Sequence, residues 1–288
     1  MQNGLYIVAT PIGNLGDLSP RAAESIPANL DPQVASSAAD VIACEDTRIA
    51  KKLFALLNIS TAGKKFIVYQ NYNEEDEAQN IINLAVNDGK SIALVSDAGS
   101  PLISDPGYKL VRKAREQNVF VTVLPGCCAL ICALQLSGLP TNRFLFAGFI
   151  PNKDKARADT LKEVRDTKAT IVFYETAQRI VKTLTAAAEI FGNREMAVAR
   201  EISKVFEECV NGTAAELIEH FSAKEPKGEM VLMIAPAAEK DFSDLDIANL
   251  LRLKMAEMPL KSAVKEMVSA YGLNKNEIYE LALKLKNE

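Results

Sequence analysis

The chain has 288 residues, of which 48% are hydrophobic, and its formal net charge is −4 at pH 7. This length predicts two domains with a small appendage, and the hydrophobic fraction, which is ample for packed cores, excludes a disordered protein. No apolar run approaches the roughly 20 residues that span a bilayer, and the N-terminus lacks the basic segment of a signal peptide, so we expect a cytoplasmic protein.

Apolar strands alternate with helices along the first half of the chain. Strands are predicted at Leu5–Ala9, Val41–Cys44, Phe66–Tyr69, Ser91–Val95 and Val119–Leu124. One helix is predicted to begin at Ser19 and Pro20, and another is predicted to end at Asp88 and Gly89. Three further helices are predicted at Ile49–Leu57, Tyr108–Gln117 and Cys127–Leu136. Such alternation indicates an α/β fold with a mostly parallel sheet and right-handed crossovers. The segment Ile26–Ser37 contains two prolines and is predicted to be a surface excursion, to which we assign no role.

The second half continues this alternation before the pattern changes. Strands are predicted at Phe144–Phe149, Thr170–Tyr174, Met196–Ala199 and Met230–Ile234, with helices at Lys155–Arg165 and Ala177–Phe191. An acidic stretch, Glu239–Asp246, precedes predicted helices at Ile247–Ala256, Leu260–Tyr271 and Lys275–Lys286. We therefore predict two α/β domains, residues 1–124 and 125–238, and a small C-terminal helical module, residues 239–288.

The last two predicted helices carry several lysines: Lys261, Lys265, Lys275, Lys284 and Lys286. A helix-turn-helix-like pair of this kind can bind nucleic acid, and a solvated charged face is the alternative interpretation. Because the net charge is slightly negative, a nucleic acid would have to bind such a local basic face.

The cysteines fall inside apolar segments, which is typical of buried free thiols: Cys44, Cys127, Cys128, Cys132 and Cys209. Cys127, Cys128 and Cys132 have no second cluster of ligands to complete a zinc site, and the only histidine of the sequence is His220. No metal site is expected.

Three loops that follow predicted strands carry most of the chemically active residues: Pro11–Asp17, Glu45–Arg48 and Asp97–Gly107. In open α/β sheets, ligands bind beyond the carboxyl ends of the strands. Gly13 and Gly16 do not form a dinucleotide fingerprint, and no phosphate-binding P-loop occurs, which disfavours dehydrogenases and P-loop kinases. For the last loop, a turn stabilised by capping aspartates remains the alternative to a ligand site.

Several motifs resemble, in order, those of the ribosomal RNA small subunit methyltransferase I family. They are Leu5–Asp17, Cys44–Arg48, Ser96–Gly107, Phe173–Glu175, Ala199–Glu201 and Lys227–Leu232. The resemblance implies a tetrapyrrole methylase fold, with S-adenosylmethionine in a cleft between two α/β domains, and a homodimer. It also implies 2′-O-methylation of a cytidine ribose in small-subunit (16S) ribosomal RNA.

A ribose hydroxyl is a poor nucleophile, so we expect a base or an anion-stabilising group beside it. Glu45 or Asp46 is the candidate near the acceptor hydroxyl, and Arg48 is the candidate for positioning phosphate or ribose. Glu201 is a further catalytic candidate from the second domain. An ion-paired strand end is the alternative for the group at 45–48.

The resemblance also implies residues that bind the cofactor: Pro11, Asp97, Gly99, Ser100, Pro101, Cys128, Ala129, Tyr174 and Met230. The turn before Ala129 opens a helix, whose free N–H groups suit the cofactor carboxylate. Tyr174 and Met230 are equally compatible with a place in the core.

The sequence departs from the family pattern in three places, one of which is the segment Ile26–Ser37, which is longer than the usual connection. Cys127 stands where a proline usually follows Pro125-Gly126, and Asn71–Glu74 replaces a loop that usually contains histidine. Two alternative functions remain: a methylase of the same fold acting on a tetrapyrrole or a protein, and a noncatalytic RNA-binding factor for ribosome assembly.

Overall fold

The computed structural model of the protein describes residues 2–26, 39–223, 226–238 and 244–287. The chain divides into two compact units, Met1–Ala237 and Ala238–Glu288. The predicted boundary at residue 124 falls within the first unit, between its two sheets, and the three-domain division stays a prediction. Apart from Ile26, the predicted excursion Ile26–Ser37 lies outside the described residues, as does most of the acidic stretch.

The first sheet is wholly parallel and has the strand order β3-β2-β4-β1-β5. Its strands are β1 (Gly4–Val8), β2 (Val41–Cys44), β3 (Lys65–Val68), β4 (Ser91–Val95) and β5 (Val121–Leu124). Helices α1 (Pro20–Ser25) and α2 (Thr47–Leu56) pack on one face, and α3 (Glu74–Val86) and α4 (Tyr108–Glu116) pack on the other. Every residue of β4 is buried because both faces of the sheet are covered.

Local signals in the sequence begin two of these helices. Ser19 accepts a hydrogen bond from Ala22 N and Pro20 occupies the first turn of α1, as predicted. Asp46 caps α2 by accepting a hydrogen bond from Arg48 N. A short 3₁₀ helix, Leu15–Asp17, precedes α1 and lay within a predicted loop.

The second sheet has the order β6-β7-β10-β8-β9. Its strands are β6 (Phe144–Phe149), β7 (Thr170–Thr176), β8 (Met196–Arg200), β9 (Glu208–Gly212) and β10 (Glu229–Ile234). Helix α5 (Ala129–Leu136) covers one face, and α6 (Asp154–Glu163), α7 (Ala177–Phe191) and α8 (Ala214–Ala223) cover the other.

Parallel pairing continues in the second sheet only between β6 and β7; the other three described pairings are antiparallel. Only residues 201–207 connect β8 to β9, and so short a connection reverses the chain, because a parallel crossover needs a dozen or more residues. Taken over both sheets, the described pairings are mostly parallel, which agrees with the predicted α/β class.

The sequence reading missed β9 and α8. Residues Glu208–Gly212 form no apolar run, so the periodicity gave no strand signal. The helix did carry a signal, since Thr213 and Glu216 form a capping box in which Thr213 N donates to Glu216 Oε2 at 2.7 Å and Glu216 N donates to Thr213 Oγ1 at 3.4 Å.

The second unit contains α9 (Asp244–Glu257), α10 (Leu260–Tyr271) and α11 (Lys275–Asn287), all predicted as helices. These helices bury a small core of their own that includes Leu251, Val264, Met267 and Ile278. Gly272 ends α10 in the left-handed conformation, at φ +66°, as helix C-terminal glycines do.

Within the described part of the chain, no helix is long and apolar enough to cross a membrane. All five cysteines are free thiols; Cys44 is buried and the other four are half-buried.

Candidate functional site

The loops that follow β1, β2 and β4 meet at one edge of the first sheet. Val8 pairs with Val95, which pairs with Cys44, so the three strands end at the same level. The strands β1 and β4 are neighbours whose following helices, α1 and α4, cover opposite faces. This is a topological switch point, where ligands bind in open α/β sheets.

Thr10 joins the loops after β1 and β4. Its N–H donates to Gly99 O at 2.8 Å, and Gly99 N donates back to Thr10 O at 3.1 Å. Its buried hydroxyl also donates to Ser96 O at 3.2 Å. The two loops therefore form one connected wall, which the sequence motifs alone did not reveal.

A cavity of about 440 Å³ lies between this edge and the second sheet. Its volume falls within the range of about 300–1,000 Å³ found for small-molecule sites. Predicted site residues that line it are Glu45, Asp97, Gly99, Ser100, Cys128, Ala129, Tyr174, Glu201 and Met230. Lining residues that the sequence reading did not assign to a site include Ile12, Ser104, Asp105, Phe149, Glu175, Lys204, Gly228 and Glu229.

Four predicted site residues do not line the cavity. Pro11 and Pro101 are buried in the loops behind the wall. Asp46 instead caps α2 and forms an ion pair with Arg48, with Oδ2 and Nη2 2.6 Å apart. This pairing lowers the pKa of Asp46 to about 2, so its carboxylate is a weak base.

The residues after β4 combine a tight backbone with an unpaired carboxylate oxygen. Asp97 Oδ1 is buried and has no hydrogen-bond partner among the residues that the structure describes. Gly99 has φ +84°, and a Cβ there would lie 3.2 Å from Ile12 Cγ2. Ser100 Oγ donates to Cys127 O at 2.8 Å, which ties this loop to the start of α5. The loop therefore offers a polar acceptor beside a wall that only glycine fits without strain.

Helix α5 begins at the cavity without a side-chain cap. Its N-cap residue, Cys128, makes no capping hydrogen bond. Leu130 N donates to Tyr174 Oη at 3.2 Å, while the first N–H groups of a helix have no acceptor within the helix. The Tyr174 ring packs edge-on against Phe146 and Phe149, with centroids 4.9 and 5.4 Å apart. An apolar aromatic wall thus adjoins the N-terminus of α5, where Ile131 N and Cys132 N donate to Cys128 O at 3.1 Å.

Three carboxylates come together on the first-sheet side of the cavity. Burial raises the pKa of Glu45, although Asp97 N approaches its Oε1 at 3.4 Å and opposes the rise. Burial also raises the pKa of Asp97. For Asp105, burial and then the negative charge of Glu45 raise the pKa to about 7. These shifts come from burial and from charges that are distant in the sequence, so they have no local sequence signal.

The loop between β8 and β9 reaches across to the loop after β1. Glu201 has φ +51° and its Oε1 lies 3.0 Å from Lys204 Nζ. The Lys204 side chain lies over Gly13, where a Cβ would come within 2.5 Å of Lys204 Cε. Ser203 Oγ donates to Asp17 Oδ2. We call these contacts the clasp.

A buried ion pair supports the end of β7. Glu175 is 1% exposed, and its Oε1 lies 2.5 Å from Arg179 Nη2. Its second oxygen accepts a hydrogen bond from Thr183 Oγ1 at 2.7 Å, and Thr176 N donates to Oε1 at 2.7 Å. Tyr174 and α7 are thereby held together at the cavity edge. Met230, on the neighbouring β10, is 1% exposed and also belongs to the core of this sheet.

Among the described residues, no group of three or more His, Cys, Asp or Glu side chains is arranged to hold a metal ion.

Two family profiles match the chain. The profile described as Tetrapyrrole (Corrin/Porphyrin) Methylases matches residues 4–218, and the one described as RsmI C-terminal HTH domain matches residues 241–286. The protein of Erythrobacter litoralis called "Ribosomal RNA small subunit methyltransferase I" is 46% identical over 283 residues, covering 98% of this chain and 95% of that protein. The chain belongs to the ribosomal RNA small subunit methyltransferase I family. The family member from Vibrio cholerae is 42% identical over 285 residues, covering 97% of this chain and 94% of its own.

Solved structures show the same fold at low sequence identity. A diphthine synthase matches with a TM-score of 0.58 and 16% identity, covering 80% of this chain and 89% of its own. The methyltransferase CobJ matches with a TM-score of 0.57 and 15% identity, and the match covers 84% of this chain and 97% of CobJ. The predicted family and the predicted tetrapyrrole methylase fold, with its C-terminal helical module, are both confirmed.

Proposed function

We propose that this protein transfers a methyl group from S-adenosylmethionine to the 2′-hydroxyl of a cytidine ribose in small-subunit (16S) ribosomal RNA. The cavity at the switch point carries the proposal, because it combines an unpaired carboxylate oxygen, the N-terminus of a helix without a side-chain cap and an aromatic wall. The names of the family members, "Ribosomal RNA small subunit methyltransferase I", support ribosomal RNA as the substrate.

The donor groups of the cavity fit S-adenosylmethionine. Asp97 Oδ1 can accept a hydrogen bond from a ribose hydroxyl or an amine, and the start of α5 at Cys128 and Ala129 can donate to a carboxylate. Tyr174 and Phe149 offer apolar surface to a purine. When bound, the cofactor supplies a sulfonium methyl group that is open to attack by an oxygen nucleophile.

Ser100 allows this placement of the cofactor to be tested, because it lines the cavity beside Gly99. A Trp side chain at Ser100 would fill the wall of the cavity, so Ser100→Trp should abolish S-adenosylmethionine binding in calorimetry. Pro101, which is buried behind the wall, should act only by holding the loop. Unchanged affinity of Ser100→Trp would refute the placement.

On the acceptor side, the geometry favours Glu45 over Asp46. Glu45 lines the cavity, whereas Asp46 is held as the cap of α2. Arg48 is paired with Asp46, but its side chain is 90% exposed, so a phosphate in solution can still reach its guanidinium. Glu201, held by Lys204, is the candidate from the second sheet. Full methyl transfer by both Glu45→Gln and Asp46→Asn would refute a role for this strand end.

The C-terminal unit supplies a candidate surface for RNA. Five lysines of its last two helices are exposed: Lys261, Lys265, Lys275, Lys284 and Lys286. Their positive charge would bind phosphates and release counterions, so RNA affinity should fall as salt rises. Replacing Lys275 and Lys284 by alanine should weaken RNA binding and flatten its salt dependence, while S-adenosylmethionine binding stays the same.

A homodimer accounts for an exposed apolar surface in the first unit. Helix α5 is strongly apolar, yet Ile131 and Leu136 are 41% and 40% exposed. Ile131 lines a shallow depression with Phe144, which is 45% exposed on the edge strand β6. A second copy of the chain would cover this surface. Light scattering should give twice the 31.3 kDa chain mass, and Ile131→Asp should give the monomer.

The decisive test uses small-subunit particles from a strain that lacks this gene. The particles are incubated with labelled S-adenosylmethionine, and the labelled nucleotide is mapped. Label on a cytidine 2′-oxygen is the expected result, and a methylated base or no label would overturn the proposal. Absence of any transfer with intact RNA binding would favour the noncatalytic assembly factor, and transfer only to a tetrapyrrole or a protein would favour that methylase.

A further inference from the structure

Asp105 lines the cavity, but the sequence motifs gave it no role. It lies in the connection between β4 and α4, and it faces groups of both sheets. The Ser96 hydroxyl, which donates to Gly99 O at 3.0 Å, favours the charged form of the Asp105 carboxylate. The negative charges of Glu45 and Asp97 act on Asp105 from the first sheet, and that of Glu229 acts from the second. The carboxylate of Asp105 also acts on the Tyr174 phenol. Asp105 thus lies where the two halves of the cavity meet.

The backbone around Asp105 is strained. Leu102 has φ +71° and Ser104 has φ +67°, a region that costs non-glycine residues roughly 1–3 kcal/mol each. Gly107, which follows shortly, has φ +144°, where a Cβ would come within 2.7 Å of Leu102 Cδ1. Such strain persists only when the surroundings impose it, and it concentrates at functional sites.

Glu74 imposes this conformation from behind the loop. Its buried carboxylate accepts hydrogen bonds from Gly107 N at 3.0 Å and from Lys109 N at 3.1 Å. A side chain of α3 therefore caps α4, which lacks a cap of its own. The start of α4 is fixed, and the strained turn before it can direct Asp105 into the cavity.

The surroundings of Asp105 suit a group that exchanges protons near neutral pH. Its pKa of about 7 contrasts with that of Asp46, which is about 2. Burial raises the pKa of Glu45 as well, but Asp97 N approaches its Oε1 at 3.4 Å and opposes that rise. Among the described lining residues, the one cation is Lys204, and it is paired with Glu201. A proton acceptor works best when its pKa is close to the working pH.

We propose that the Asp105 carboxylate takes the proton from the acceptor hydroxyl during methyl transfer, a role that rests on the proposed function. In this step the hydroxyl oxygen forms a bond to the methyl carbon, and the bond between that carbon and sulfur breaks. The bonding electrons stay on sulfur, which becomes a neutral thioether. The hydroxyl proton goes to Asp105, which becomes a carboxylic acid and later releases the proton to water.

The test replaces one oxygen of the carboxylate. Asp105→Asn keeps the size of the side chain and should lower kcat by about 10²- to 10⁴-fold, the usual contribution of a general base. S-adenosylmethionine affinity in calorimetry should stay within about threefold, because the residue acts on the acceptor. The matched control is Asp88→Asn, an exposed aspartate just before the opposite end of β4, which should leave kcat unchanged. The wild-type kcat should rise with pH around 7, and Asp105→Asn should lose this rise.

A readout without turnover separates this proposal from the proposed function. Carbon-13 NMR of the carboxyl groups, with Asp105→Asn to assign the signal, should show Asp105 titrating near pH 7. If the wild-type protein methylates no RNA, the proposed function fails. Independently of that result, a titration midpoint of Asp105 below about 5, close to that of an ordinary aspartate, would overturn the role of Asp105. A kcat within about threefold of wild type would overturn it as well. So would a loss of cofactor affinity as large as the loss of kcat.

Discussion

Asp105→Asn should stabilise the folded protein at alkaline pH while it removes activity. The pKa of Asp105 is raised from 3.8 to about 7 in the folded chain, so folding favours its protonated form. The stability that the protein has with a protonated Asp105 is fully present below about pH 4. It is lost as pH rises through 7, because the folded chain then holds the ionised carboxylate in an unfavourable site. Asparagine does not ionise and avoids that loss.

The magnitude follows from the size of the shift. Each pKa unit corresponds to about 1.4 kcal/mol, so a shift of roughly three units sets an upper limit of about 4 kcal/mol. Asp105 is only half-buried, and solvent screens much of its charge. We therefore expect Asp105→Asn to gain about 1–2 kcal/mol over wild type at pH 8 and close to nothing at pH 4.

Urea unfolding of the full chain at pH 4, 6 and 8 measures this difference. Asp88→Asn serves again as the control, since an exposed aspartate should show a difference that stays near zero at each pH. The prediction is wrong if the difference in the free energy of unfolding between Asp105→Asn and wild type does not change with pH, or if wild type is the more stable protein at pH 8. Either result would show that the cavity does not penalise the charge.

Two further substitutions test the supports of the cavity. Arg179→Ala leaves the Glu175 carboxylate buried without its cation, which should lower the free energy of unfolding by about 3–5 kcal/mol in urea titrations; a loss below about 1 kcal/mol would mean that the pair is solvated. Gly228→Ala places a Cβ 2.4 Å from Glu201 Oε1 at φ +87°, so it should reduce methyl transfer by displacing Glu201. Gly63→Ala, at φ +72° with open space around it, controls for backbone strain alone, and equal effects of the two would contradict the contact.

Local patterns were enough to predict most of the secondary structure. The apolar run at Ser91–Val95 and the cap at Ser19 and Pro20 act within a few residues, so the sequence reading located β4 and the start of α1 correctly. Glu208–Gly212 was missed because an edge strand that is only half-buried needs no apolar run.

The candidate site was less predictable because it depends on which side chains face the second sheet. Glu45 and Asp46 are adjacent in the sequence, yet one lines the cavity and the other caps a helix. Asp105 was noticed in its loop but not assigned a role, since its proton affinity comes from burial and from groups distant in sequence. Pattern reading finds the loops, and long-range packing decides which residues in them are active.

The clasp has a consequence for how molecules enter and leave the cavity. The strand ends of the first sheet form a floor fixed by backbone pairing. The clasp instead consists of the Lys204 side chain on the Gly13 backbone and a side-chain hydrogen bond from Ser203 to Asp17. Those contacts can separate without breaking either sheet, whereas the floor cannot move without unfolding. The cavity thus has a permanent base and a releasable rim, and the exchange rate of a bound molecule would be set by how often these few contacts separate.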